Sequence, residues 1–120
     1  MAFWDKFRRK KKDFPYRFTN AESFRFLTEG LANMQEWSRT GNETKYLAAL
    51  WFFEQSVEKY PQDLIGRFYR ACMLAQKSSG RDQALADWRI VLERAPNTDL
   101  AAYAQSNINA LSNFQYPEGK

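Results

Sequence analysis

The chain has 120 residues and a net charge of +4, with 44% hydrophobic and 17% aromatic residues. This length predicts one domain, and the composition predicts an aromatic-rich core. One cysteine and no histidine exclude a disulfide framework and argue against zinc, haem and catalytic-triad sites, so we expect no metal or other cofactor. No apolar run approaches the ~20 residues of a membrane-spanning helix. We expect no secretory signal, because the basic run follows the first apolar residues instead of preceding them.

The positive charge is concentrated at the N-terminus. Residues 1–20 contain seven basic and two acidic residues, a net charge of +5, whereas the other hundred residues have a net charge of −1. This asymmetry predicts a basic arm in front of a nearly neutral domain. Residues 2–12 of the arm predict a short helix, which Pro15 ends, and residues 13–20 are expected to be extended.

Five helices are predicted after the arm. Thr19 and Glu22 form a T-x-x-E capping box, which is typical of a helix start. The helices are expected over residues 21–39, 43–59, 64–77, 82–94 and 98–112, followed by a frayed tail. Their apolar residues recur every three or four positions: Phe24, Leu27, Leu31, Met34 and Trp37; Tyr46, Leu47, Leu50, Phe53 and Val57; Phe68, Cys72 and Ala75; Leu85, Trp88, Val91 and Leu92; Leu100, Tyr103, Ala104, Ile108 and Leu111.

Two stretches of the chain end in the same pattern. Each has an alanine twelve residues before a proline, an aromatic residue eight before it and an aliphatic residue four before it. The matching residues are Ala49, Phe53, Val57 and Pro61, and then Ala84, Trp88, Leu92 and Pro96. The prolines are 35 residues apart, and a period of this length with helical signals predicts stacked helix hairpins.

The stretch Ile65–Thr98 resembles a tetratricopeptide repeat. It matches the family's large, small, aromatic and proline positions with Phe68, Cys72, Ala84, Trp88, Leu92 and Pro96. It departs from the pattern at Ala71, Ala75 and Val91, and the upstream stretch matches only in its second helix, with bulky Trp37 where a small residue is expected. The resemblance implies two helix hairpins over residues 21–112, with the fifth helix as a cap.

The resemblance also implies a concave groove lined by the first helix of each hairpin. The groove positions of the better-matched repeat are Tyr69, Arg70, Met73, Gln76 and Lys77, together with Gly66. Arg70 and Lys77 lie about two helical turns apart and suit an acidic peptide or a C-terminal carboxylate. The alternative interpretation is an ordinary solvated helix face.

The arm combines aromatic rings with a basic run. The residues concerned are Phe3, Trp4, Phe7, Arg8, Arg9, Lys10, Lys11 and Lys12. This combination is typical of an interfacial membrane anchor, with the rings in the headgroup region and the cations over anionic lipid. Two alternatives are nucleic-acid binding, in which the rings stack on bases, and an arm that folds back on its own domain.

Other conspicuous side chains have structural interpretations. Cys72 is expected to be a small packing residue, because the chain has no histidine to activate a thiol. Trp37, Trp51 and Trp88 are expected in the core. Four carboxylates have spacings typical of exposed helix faces and indicate no acid–base catalysis: Glu54, Glu58, Asp82 and Asp87.

The sequence therefore predicts an all-α fold of about five helices in stacked antiparallel hairpins, over residues 21–112, between an arm (1–20) and a tail (113–120). The predicted function is that of a non-enzymatic adaptor or scaffold that binds a protein or peptide, in the cytoplasm or held by its arm at an anionic inner membrane surface. The alternatives are a small nucleic-acid-associated protein or a subunit that docks on a larger complex. Because two repeats leave an apolar face open, either self-association or a partner that covers this face is also expected.

Overall fold

The computed structural model of the chain describes residues 21–117. Its five α-helices are α1 (Ala21–Thr40), α2 (Glu43–Lys59), α3 (Leu64–Leu74), α4 (Arg81–Arg94) and α5 (Asp99–Ser112), with a short 3₁₀ helix at Ser78–Gly80 before α4. No strand occurs within residues 21–117. The predicted all-α fold of five helices is therefore confirmed.

The helix ends follow local chemistry. The Thr44 N–H donates to Oδ1 of Asn42 at 2.9 Å, and the Ala101 N–H donates to Oγ1 of Thr98 at 3.1 Å, so these two side chains cap α2 and α5. Helix α3 ends at Leu74, three residues before the predicted end. The chain turns there so that Gly80 lies against the Leu74 carbonyl group, where a Cβ atom would overlap it.

The helices pack chiefly against their neighbours along the chain. Helices α1 and α2 form a hairpin, α3 packs on α2, α4 forms a second hairpin with α3, and α5 covers α4. This order supports the predicted stacking of hairpins, with the last helix placed as a cap.

Small residues allow the close approach of the helices. The α-carbon of Gly30 lies so near the Phe53 ring that a Cβ atom would overlap it, and Gly66 lies equally close to Ser56. The close contact between α1 and α2 is therefore made at Gly30, whereas the repeat pattern predicts a small residue for it at position 37. Trp37 packs instead with its ring 5.5 Å from the Tyr46 ring, edge to face.

The core is rich in aromatic rings, as the composition predicts. The Phe53 and Tyr69 rings are stacked at 5.6 Å, and the Phe68 and Trp88 ring centroids are 6.2 Å apart. The Tyr46 hydroxyl donates to the Met73 carbonyl oxygen at 2.9 Å, which satisfies a buried polar group. Each buried ring of this kind stabilises the fold by roughly 1.5–3 kcal/mol relative to an exposed one.

Three residues predicted for core faces are exposed. Phe24 is 51%, Leu47 56% and Trp51 51% exposed, whereas Phe26, which the pattern omitted, is 3% exposed. The predictions for Leu47 and Trp51 fail because α2 carries apolar residues around more than half of its circumference. Only the part that faces α1 and α3 can be buried.

Candidate functional site

Two of the predicted groove residues lie in the core. Tyr69 and Met73 are each 1% exposed, because α2 packs on one side of α3 and α4 on the other. Gly66 is also buried, against Ser56. In this structure, therefore, these three positions do not form the wall of an open groove.

Arg70, a third groove position, is bound within the chain. Its Nε and Nη2 atoms donate to the two carboxylate oxygens of Asp87 at 2.8 and 2.7 Å. Arg67 and Gln83 approach the same carboxylate at 3.4 and 3.1 Å. Asp87 is 0% exposed, so the expectation that it faces water is wrong. The bidentate pair instead fastens α3 to α4.

The two arginines differ in their electrostatics. The hydrogen bonds to Asp87 raise the pKa of the Arg70 guanidinium despite its burial. Burial lowers the pKa of Arg67, because the attraction of the more distant Asp87 carboxylate does not offset the loss of solvent. Both side chains are largely buried, so neither presents a free cation to an acidic peptide.

The last two groove positions, Gln76 and Lys77, line a cleft after the end of α3. Ser78 and Ser79 continue its wall, and the tail closes it with Phe114, Tyr116 and Pro117. The tail is held there because the Tyr116 hydroxyl donates to the Ala75 carbonyl oxygen. Lys77 forms an ion pair with Glu43, and its Nζ atom lies 4.4 Å from the centroid of the Tyr46 ring. Its charge is therefore already compensated.

A different surface, on α2, carries the exposed apolar residues. We define the α2 outer stripe as Leu47, Trp51, Glu54 and Glu58, which lie at i, i+4, i+7 and i+11 and so share one face of the helix. Leu47 and Trp51 are more than half exposed. Within residues 21–117 neither carboxylate is in an ion pair. The stripe thus combines two large apolar side chains with two carboxylates that form no ion pair in this part of the chain, although their charges contribute to the raised pKa of Arg70.

Sequence reasoning missed this stripe although its signal is present. The segment Leu50–Phe53 places four large apolar residues in succession, and consecutive residues of a helix cannot all face one side. Such a run indicates a helix with a second apolar face. The ring centroids of Trp51 and Phe52 are 5.1 Å apart, and the two rings are nearly perpendicular.

The arm residues with a predicted membrane or polyanion contact lie outside the described residues, so those contacts stay predictions. No helix within residues 21–117 is long and apolar enough to cross a membrane. In the same part of the chain no three acidic, cysteine or histidine side chains are arranged to hold a metal. Cys72 is buried, and burial raises the pKa of its thiol, which suits a packing residue.

No family model, curated protein or solved structure matches this chain. The resemblance to tetratricopeptide repeats consequently stays a prediction from the sequence.

Proposed function

We propose that this protein is a non-enzymatic interaction module, an adaptor or scaffold, whose partner docks on the α2 outer stripe. The observation that supports this proposal is the exposure of Leu47 and Trp51 one helical turn apart, 56% and 51% respectively, on a helix whose opposite face is fully packed. Large apolar side chains placed together at a surface mark interaction sites in proteins that otherwise bury them.

Trp51 has the properties of a binding anchor. Tryptophan is enriched among the residues that dominate the energy of protein interfaces, particularly at the centre of a contact. Burying the exposed half of Leu47 and Trp51 would release apolar surface from water, at about 25 cal/mol per Å². A partner residue packed between them gains this energy without any change in the core of the domain.

The chemistry of the stripe defines the partner. Glu54 and Glu58 extend the apolar pair toward the end of α2, and neither forms an ion pair within residues 21–117, although both charges act on the Arg70 guanidinium, which is itself paired with Asp87. The complementary surface is a helix or extended segment that carries an apolar anchor followed by lysine or arginine. The partner is therefore a protein with a basic amphipathic segment.

Site-specific photo-crosslinking in cells that express the protein tests this proposal. A photoreactive amino acid is placed at Leu47 or, as a control, at Ala102, an exposed position on α5. We expect a discrete protein adduct from position 47 only. The charge reversals Glu54→Lys and Glu58→Lys should remove that adduct, whereas Asp82→Lys and Glu93→Lys, which change the net charge equally on α4, should not. Equal adducts from positions 47 and 102 would contradict the proposal.

The sequence of the arm supports a second part of the function, attachment to an anionic membrane surface. Three rings precede five consecutive basic residues, Arg8–Lys12. Each basic residue near such a surface adds about 1 kcal/mol, and the rings add interfacial burial. An adaptor held in this way would bring its partner to the membrane. Binding of the arm to nucleic acid is the alternative, and docking of the arm on a larger complex is a third.

A further inference from the structure

The α2 outer stripe has a complementary segment within its own chain. Two apolar side chains that are more than half exposed, Leu47 and Trp51, are followed on this face by two carboxylates. The partner that these groups define is a segment with an apolar anchor followed by lysine or arginine. The arm has this order, because three aromatic rings precede the basic run Arg8–Lys12.

The spacing of the arm also matches that of the stripe. Phe3 and Phe7 are four residues apart, as are Leu47 and Trp51, so a helix over the arm would place each pair one turn apart. From Leu47 to Glu58 the stripe extends about 16 Å along α2. The rings and the basic run together would extend about 14 Å in the helix that the sequence predicts for the arm.

The arm joins the domain at the acidic end of the stripe. It continues directly into α1, where Glu22 accepts a hydrogen bond from the Tyr60 hydroxyl at 2.6 Å, and Tyr60 follows the last residue of α2. The segment that links Lys12 to Ala21 reaches up to about 30 Å when extended. Since the basic run lies nearer to this junction than the rings do, an arm laid along α2 toward its start meets the carboxylates first and the apolar pair afterwards.

We infer that the arm docks on the α2 outer stripe of its own chain and thereby controls access to it. Its rings pack on Leu47 and Trp51, and its basic run faces the two carboxylates. This inference rests on the proposed function, because it concerns the regulation of the same stripe. The covalent link gives the arm an effective concentration of about a millimolar, so an external partner has to displace it. The arm holds either the stripe or a membrane at one time, because both contacts use the same rings and basic residues.

Photo-crosslinking of the purified full chain tests the inference. A photoreactive phenylalanine analogue replaces Phe7, and trypsin cleavage after Lys45 and Lys59 then releases residues 46–59, which contain the whole stripe. We expect the adducts to concentrate on this peptide. In an equal mixture of ¹⁵N-labelled and unlabelled chains the linked peptides should carry a single isotope, because arm and stripe belong to one molecule. Adducts elsewhere, or linked peptides of mixed isotope content, would overturn the inference.

Two matched pairs of substitutions test the contribution of charge. Glu54→Gln with Glu58→Gln neutralises the stripe and should lower the yield of the adduct about threefold or more at low salt. Asp82→Asn with Glu93→Gln removes the same charge from exposed positions on α4 and should leave the yield unchanged. Equal yields from the two pairs would also overturn the inference.

A fluorescent peptide of residues 1–13 measures how far the arm covers the stripe. It should bind about fivefold more tightly to a chain whose three arm rings are changed to serine than to the native chain, because the weakened arm leaves the stripe open. Equal binding would contradict the inference but leave the cellular adduct of Leu47, and with it the proposed function, intact. An arm adduct on residues 46–59 without any cellular adduct from Leu47 would support the docking of the arm and contradict the external partner.

Discussion

Asp87 has no exposed surface and accepts hydrogen bonds from Arg70, Arg67 and Gln83. The carboxylate compensates guanidinium groups that are themselves only 12% and 17% exposed. Buried ion pairs of this kind add little net stability compared with apolar packing, but the loss of one partner is costly. These ion pairs with Asp87 thereby favour one packing arrangement of α3 against α4.

We expect Asp87→Asn to lower the free energy of unfolding by about 3 kcal/mol, because it leaves two buried cations with a neutral neighbour. Urea denaturation at neutral pH measures this value. The matched control is Glu93→Gln, an exposed carboxylate on the same helix, which should change stability by less than about 0.5 kcal/mol. Equal effects of the two substitutions would show that the Asp87 network is not structural.

Tyr46 gives the fold a dependence on alkaline pH. Burial, followed by the charge of Glu43, raises the pKa of its phenol to about 12, whereas an unfolded tyrosine titrates near 10. The folded state therefore holds the phenol proton to a higher pH than the unfolded state does. The resulting stabilisation of the folded state is complete below about pH 10 and is lost as the pH rises toward 12. Over that interval Tyr46→Phe should reduce the slope of stability against pH by about 1.4 kcal/mol per unit.

The measurement for this prediction is urea denaturation at several pH values from 7 to 12. Below pH 9 the variant should differ from the native chain by a constant offset, because it lacks the hydrogen bond to Met73. Tyr69 and Tyr116, whose pKa values burial also raises, contribute to the alkaline loss of stability in both chains. Parallel curves up to pH 12 would contradict a contribution of Tyr46 to that loss.

Helix α2 shows which features of an element the sequence can predict. The spacing of Tyr46, Phe53 and Val57 identifies the helix and its packed side, because these residues return to one face at every turn. It does not separate them from Leu47 and Trp51, which are equally apolar. Their exposure depends on where α1 and α3 lie around α2, and that arrangement is a tertiary property. The same limit explains Asp87 on α4, whose burial depends on arginines that lie 17 and 20 residues away in the sequence.

Gly30 determines how closely α1 and α2 approach, and its substitution provides a test. Helix propensity alone predicts that Gly30→Ala stabilises the chain by about 1 kcal/mol. Because the added methyl group overlaps the Phe53 ring, we expect the substitution to destabilise it by about 1–3 kcal/mol instead. Thermal or urea denaturation measures the change.

The smaller side chain of Phe53→Leu should recover part of this loss. In a double-mutant cycle the combined variant should be more stable than the sum of the single changes by about 1 kcal/mol or more. Stabilisation by Gly30→Ala alone would show that the helices separate easily and that their close approach is not required.

The sequence predicts the fold and its core better than it predicts the candidate binding sites. The five helices, the aromatic core and the burial of Cys72, Ala84 and Trp88 follow from local periodicity and the spacing before Pro96. Whether the groove positions can bind a partner depends on which face of α3 remains open. This short helix has almost no open face, because Tyr69 and Met73 are buried and Arg70 is paired with Asp87. A cleft lined by Trp88 of α4 and Asn107 of α5 also borders the end of α3, and no pattern in the sequence indicates it.

Flotation with lipid vesicles tests the predicted membrane role of the arm. We expect the full chain to float with anionic vesicles and not with neutral ones, and a chain that starts at Asp13 to float with neither, because it lacks the rings and the basic run. Circular dichroism and thermal denaturation of the shortened chain should show that the helices α1–α5 and their cooperative unfolding are retained.

A variant with Phe3, Trp4 and Phe7 changed to serine separates the two contributions, because it keeps every basic residue. We expect it to float only at low salt, where charge alone suffices. Flotation of the chain that starts at Asp13 would contradict a role for the arm. Binding of the full chain to an oligonucleotide with steep salt dependence, without flotation, would favour the nucleic-acid alternative.

Packing between consecutive helices also determines how the protein folds. Because α1 rests on α2, α3 on α2, α4 on α3 and α5 on α4, most contacts join residues that are close in sequence, so little chain entropy is lost before they form. Domains of such low contact order fold within microseconds to milliseconds. Since α5 touches mainly one neighbour, it can detach while the α1–α2 hairpin remains intact, and its amide protons should exchange with solvent earlier than those of α2. The cleft that includes Trp88 would then open and close with the docking of a single helix.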